Sequence, residues 1–145
     1  MAAFVMNQNF PEALGKGLHN FTTSGSTFQL KIALCSAIDN ANGALAGQTQ
    51  CIGGGYAATN VPGTVTYTET NGTGTMTNGG TDLVFTASGG TISSVRYAVL
   101  YDDTPTSPVT DPVIGYWDYK SSQNVEDTET FTINFGASLF TIASA

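Results

Sequence analysis

Ser94–Phe135, SVRYAVLYDDTPTSPVTDPVIGYWDYKSSQNVEDTETFTINF, is the stretch whose reading decides the fold class. Val95, Tyr97, Val99 and Tyr101 occupy every second position, Val113 to Tyr119 is a second aromatic-rich run, and Phe131, Ile133 and Phe135 repeat the period of two. That period sends alternate side chains to opposite faces of a strand. The turn chemistry of Asp102-Asp103-Thr104-Pro105 and the acidic Glu126, Asp127 and Glu129 separate the three runs. The stretch predicts a β-meander.

The same pattern extends outward. Phe28, Leu30, Ile32 and Leu34 predict a first strand, with Gln29 and Lys31 on its other face. Thr64 to Thr70, Thr73 to Thr77, Leu83 to Ala87 and Ala137 to Ile142 predict further strands, punctuated by Asn71-Gly72 and Asn78-Gly79, the residue pairs that favour hairpin turns. About eight or nine short strands at this spacing predict an all-β, single-domain antiparallel β-sandwich, jelly-roll-like or Ig-like. Residues 1–22 read differently, as an N-terminal arm with a short helix, Pro11 to Leu18, ahead of the sandwich at 23–145. Pro11 suits a first helical turn, Glu12 complements the helix dipole, and Leu14 and Leu18 share a face. The arm carries Phe4, Val5, Met6 and Phe10, which pack either on their own core or on a neighbouring subunit. Ser36–Asn60, rich in Ala, Gly, Asn and Gln and including Gly54 and Tyr56, has no strong periodicity. It reads as an interaction loop, because unpatterned stretches of this length inside a domain are usually functional.

Composition narrows function. The chain has 145 residues, enough for one domain, and only 10% of them are charged, well below the usual quarter. Four Lys and Arg against eleven Asp and Glu give a formal charge of −7. Lys16, Lys31, Arg96 and Lys120 are scattered singly, whereas phosphate backbones require clustered cations, so nucleic acid is not an expected partner. The first residues lack a cationic segment followed by a continuous apolar stretch, and no window approaches the ~20 apolar residues of a membrane helix. Cys35 and Cys51 are not in a CxxC pair, which argues against zinc, and a protein made in the cytoplasm would keep both reduced.

Reaction centres are equally sparse. His19 is the only histidine and no nucleophile-elbow motif accompanies it, so it reads as a partly exposed helix-end residue. Asp102 and Asp103 are weak Ca²⁺ candidates, without the spacing of a calcium loop, and a solvated turn explains them better. Tyr97, Tyr101, Tyr116, Trp117 and Tyr119 offer aromatic faces for a sugar, with Trp117 and Tyr119 the leading glycan-binding candidates, although aromatics more often build cores and interfaces. No cofactor and no catalytic residue is expected.

The order of motifs resembles that of small virion structural proteins of tailed bacteriophages and prophages. The matching pieces are Leu30-Lys31-Ile32-Ala33-Leu34, Gly54-Gly55-Tyr56, Arg96 to Asp103, Pro112 to Tyr119 and Phe131 to Phe135. The likeness is strongest from Arg96 onward, and the Ala-, Gly- and Asn-rich Ser36–Gly55 loop, without the charged turn residues the resemblance implies, departs from it. The resemblance implies a non-enzymatic capsid decoration (cement) protein in the virion, with the major capsid protein or copies of itself as partners and a homo-oligomer or symmetric array on the particle. A phage tail or fibre component is the first alternative, and a carbohydrate-binding β-sandwich module the second. Phe4, Val5, Met6, Phe10, Gly54 and Tyr56 are the expected partner-binding residues.

Overall fold

The computed structural model describes residues 2–143. Its central layer is an antiparallel sheet in the order β1 (Phe4–Met6), β9 (Val113–Val125), β8 (Ile92–Asp102), β2 (Leu30–Ala37) and β3 (Thr49–Gln50), with β4 (Thr59–Asn60) also pairing with β2. Two smaller antiparallel sheets form the opposing layer: β5 (Thr66–Thr70), β6 (Thr73–Thr77) and β11 (Phe140–Ala143) in the order β11-β6-β5, and β7 (Leu83–Thr86) with β10 (Thr130–Ile133). The fold is all-β and sandwich-like. One helix, α1 (Phe10–Gly15), and a single 3₁₀ turn at Leu45–Gly47 complete the elements. Helix α1 is shorter than the Pro11–Leu18 expected, because Gly15 and Gly17 carry little helix propensity and Gly17 adopts φ 73°.

The period-2 patterns fill the space between the layers. Leu30, Ile32 and Leu34 from β2, Ala98 and Leu100 from β8, and Trp117 from β9 meet Met76, Phe85, Phe131, Ile133 and Phe140 of the opposing layer in one buried cluster. Aromatic pairs stitch the layers together. Phe4 lies edge-on to Trp117 with centroids 5.0 Å apart and stacks on Phe140 at 5.6 Å; Trp117 packs on Phe135 at 5.5 Å, and Tyr119 stands on Phe131 at 5.1 Å. Such pairs add about 0.5–1.5 kcal/mol each beyond the area they bury.

Three expectations change. The Ser94–Phe135 stretch is not a meander: β8 and β9 form a long hairpin, but β10 crosses to the opposing layer and pairs with β7. Phe131 and Ile133 are thereby buried from the far side of the core. Asn71-Gly72 does turn β5 into β6, with φ 51° and 83° as a type I′ turn requires. Asn78-Gly79, however, closes no hairpin. Asn78 is buried and donates its side-chain amide to the Pro62 and Thr81 carbonyls at 3.0 and 2.8 Å, making a corner between sheets.

The Ser36–Asn60 segment is also built into the fold. β3 and β4 both pair with β2, and Gln48 ties the intervening chain together. The Gln48 side-chain amide donates to the carbonyls of Asp39 and Asn42 at 3.1 Å, and its carbonyl accepts from the Asp39 N–H at 2.7 Å. An order imposed by one side chain at the centre of a loop leaves no periodic trace in sequence.

Candidate functional site

The outer face of the central sheet carries a second apolar cluster. Ala33 and Cys35 of β2, Val99 and Tyr101 of β8, and Val113 of β9 are buried there beneath Leu45, with Ile38, Ala58, Tyr97 and Tyr116 half-buried around them. Tyr97 and Tyr116 meet edge to face at 5.8 Å. A register shift in β8 between Val95 and Tyr97 re-aims Arg96 across the sheet. Its guanidinium lies 5.0 Å from the centre of the Tyr97 ring and grips Asp118 with two hydrogen bonds, Nε to Oδ1 at 3.0 Å and the second nitrogen to Oδ2 at 3.2 Å. This bidentate pair holds the Asp118 carboxyl below the usual carboxylate range, assisted by the Lys120 N–H. Val5 of β1 lies opposite Tyr116 in register and is 39% exposed. The result is a firm patch of two tyrosines, an arginine and a valine on the most extensively paired strands.

The sequence candidates divide around this patch. Tyr97, Tyr101 and Tyr116 belong to the outer face, whereas Trp117 and Tyr119 turn inward. Trp117 is 2% exposed, wedged between Phe4 and Phe135, and has no free ring face for a sugar; Tyr119 packs on Phe131. The glycan platform centred on these two residues is therefore overturned. Phe10, expected at a partner interface, is buried against His19 and Phe140. Phe4 and Met6 pack against the same core, because the N-terminal arm is a strand of the central sheet. Gly54 is buried at φ 57°, where a Cβ would strike Ile92 and its amide. Tyr56 is half-buried, with its hydroxyl accepting from the Leu34 N–H at 2.9 Å and donating to Gln50 at 2.8 Å. Of the expected partner-binding set, Val5 presents the most open apolar side chain.

Asp102 and Asp103 do not form a calcium site, and no group of three or more metal-ligating side chains is placed to hold an ion among the described residues. The Asp102 carboxylate is fully buried and already occupied. It accepts from His19 Nδ1–H at 3.1 Å and from the backbone N–H groups of Thr104 at 3.1 Å and Gln29 at 3.4 Å. Asp103 pairs with Lys31 at 3.3 Å. His19 is a buried residue rather than the partly exposed one expected, since its ring lies between Phe10 and Phe21. Its Nε2 has no hydrogen-bond partner among the described residues. Cys35 and Cys51 are free thiols on opposite faces of the central sheet, and burial pushes them up to about 12 and about 11.

A cleft of about 630 Å³ opens between α1, the 39–44 loop and the 107–113 segment. Asn9, Glu12, Lys16, Asp39, Asn42 and Ser107 supply its polar lining. Glu12 and Lys16 pair with each other across one helical turn at its rim. The cleft has no buried charge and no convergent set of donors. Comparison with protein-family models, with curated proteins and with solved structures returned no match.

Proposed function

We propose that this protein is a non-enzymatic structural component of a tailed-phage virion, a decoration protein that binds and stabilises the assembled head. The observation that carries the binding role is the outer patch of Tyr97, Tyr116 and Arg96. Tyrosine and arginine are enriched in binding hot spots, tyrosine for its large contact area with a polar handle and few free torsions, arginine for its planar fork of donors. Here the bidentate bond to Asp118 and the ring–ring contact already order those side chains, so little rotamer freedom remains to be lost on docking. The motif order from Arg96 to Phe135 directs that binding role to a phage particle, with the major capsid protein as partner.

Stabilisation would follow from mass action. A ligand that binds only the assembled shell favours it by RT ln(1 + [L]/Kd), repeated over every symmetric site. The experiment is to add purified protein to particles stripped of it and to measure bound copies and heat resistance. Many copies per particle with raised heat resistance support the reading. A few copies, confined to the tail, favour a tail or fibre component. No binding, or binding unaffected by Tyr97→Ala with Tyr116→Ala, refutes the assignment of the patch.

A further inference from the structure

Among the described residues, the central sheet ends at β1 with no strand on its outer side. β1 pairs with β9 in the register Phe4 with Trp117, Val5 with Tyr116 and Met6 with Gly115, and the Asn7 N–H continues it by donating to the Ile114 carbonyl at 2.9 Å. In an antiparallel ladder, hydrogen-bonded and non-bonded positions alternate. Asn7 and Val5 therefore direct their backbone groups at β9, and Phe4 and Met6 direct theirs away from it. Asn40 closes one end of that outer edge: its side-chain amide donates to the Met6 carbonyl at 3.3 Å, and its own carbonyl accepts the Gln8 N–H at 3.1 Å. The Phe4 N–H and C=O and the Met6 N–H remain open among the described residues.

Edge strands are usually protected by lysine, proline or a bulge. β1 is short, at three residues, and Asn40 covers one end of it, but the stretch Ala2-Ala3-Phe4-Val5-Met6 has no lysine, proline or bulge. The strand itself is also free of charge, and the charges beside it on the outer face, Arg96 and Asp118, are paired with each other. In a chain of net charge −7, residues 1–11, 113–117 and 130–145 contain no Asp, Glu, Lys, Arg or His. Pairing along this edge sets no carboxylate of the strand against the second copy. Alongside it runs a groove of about 380 Å³ between the layers, lined by Ala2, Phe4, Met6, Leu139 and Phe140 among others.

We propose that β1 pairs with β1 of a second copy, antiparallel across a two-fold axis at Phe4, joining two central sheets into one. At the axis each Phe4 N–H donates to the Phe4 carbonyl of the second copy. Ala2 stands opposite the second copy's Met6, so that the Met6 N–H gains an acceptor and the bond from Asn40 is kept. On the outer face Ala3 meets the second copy's Val5, covering a side chain that is 39% exposed in the single chain. On the inner face the two Phe4 rings lie side by side over the grooves. The contact is isologous and closes as a dimer. It needs only the chain itself, so its failure leaves the head-binding reading standing.

Sedimentation equilibrium of the purified full chain at sub-millimolar concentration tests the pairing. The wild type sediments as a dimer. Ala3→Lys with Val5→Lys, both at exposed side chains, sets like charges against each other across the axis and raises the dimer dissociation constant by about tenfold or more. Ile52→Lys, at a residue 75% exposed beyond β3 at the opposite edge, leaves the dimer intact. The register has its own readout. Ala3→Cys with Val5→Cys places the new thiols in facing pairs, about 4.5 Å between Cα atoms, and mild oxidation links the copies. A wild type that is monomeric throughout, a dimer indifferent to the lysines, or thiols that fail to cross-link would overturn the proposal.

Discussion

Replacing Asp102 by alanine tests the buried contact between Asp102 and His19. The Asp102 carboxylate and the His19 ring are both fully buried, and the pair joins the chain after α1 to the end of β8. Asp102→Ala strands His19 Nδ1–H in an aromatic pocket formed by Phe10 and Phe21, and it frees the Thr104 and Gln29 amides. Those amides lie in partly buried positions where water can reach them; the imidazole cannot recover a partner. Breaking a buried pair in this way costs about 3–5 kcal/mol, against a total stability of about 5–15 kcal/mol. With a urea slope near 2 kcal/mol/M, the unfolding midpoint falls by about 2 M. Trp117, the only tryptophan, reports the transition as its emission shifts to the red on leaving the core. Asp102→Asn loses less, since its carbonyl still accepts from the two amides and its NH₂ can donate to His19 Nδ1. His19→Phe keeps the ring packing but strands the carboxylate, so the double variant with Asp102→Ala should be more stable than the sum of the two losses, a coupling of about 1–3 kcal/mol. An Asp102→Ala midpoint within a few tenths of a molar of wild type, or strictly additive losses, would refute the account of this pair.

Four further outcomes follow from the same packing. Native Cys35 and Cys51 resist iodoacetamide at pH 8, because burial holds both thiols far above that pH, and react on unfolding in urea; rapid alkylation of the folded chain contradicts this. Trp117→Ala destabilises by about 3–5 kcal/mol in a circular-dichroism melt through loss of its contacts with Phe4 and Phe135. Gly115→Ala drives a Cβ into the Phe4 ring and the Val5 carbonyl, loosening β1 at a cost of about 1–3 kcal/mol and speeding proteolysis ahead of Phe10. Asp111→Asn stabilises at neutral pH. Burial and neighbouring Asp103 raise the folded Asp111 carboxyl above its ordinary value, so its ionisation opposes folding as pH rises from about 4. That part of the gain vanishes at lower pH, and it is modest because solvent screens the half-exposed group. Asn also tolerates the φ of 51° at this position, a gain that persists at every pH.

Local chemistry determined much of what was legible without coordinates. Alternation in Leu30–Leu34, Val95–Tyr101 and Phe131–Phe135 marks strands because pleating alone sorts side chains onto two faces. Asn71-Gly72 marks a turn because only residues tolerant of positive φ fit there. These features suffice for an all-β sandwich. They do not say which strand is whose neighbour, since period-2 strands are interchangeable until the chain's long-range crossings choose among them. Tertiary structure sent β10 to β7, brought the arm into the sheet as β1, and so buried Trp117 while leaving Tyr97 and Tyr116 outside. It also joined His19 to Asp102 across 83 residues, and set Arg96 on Asp118 through a bulge. Each of those contacts depends on two distant segments being placed together, and no local pattern encodes that placement.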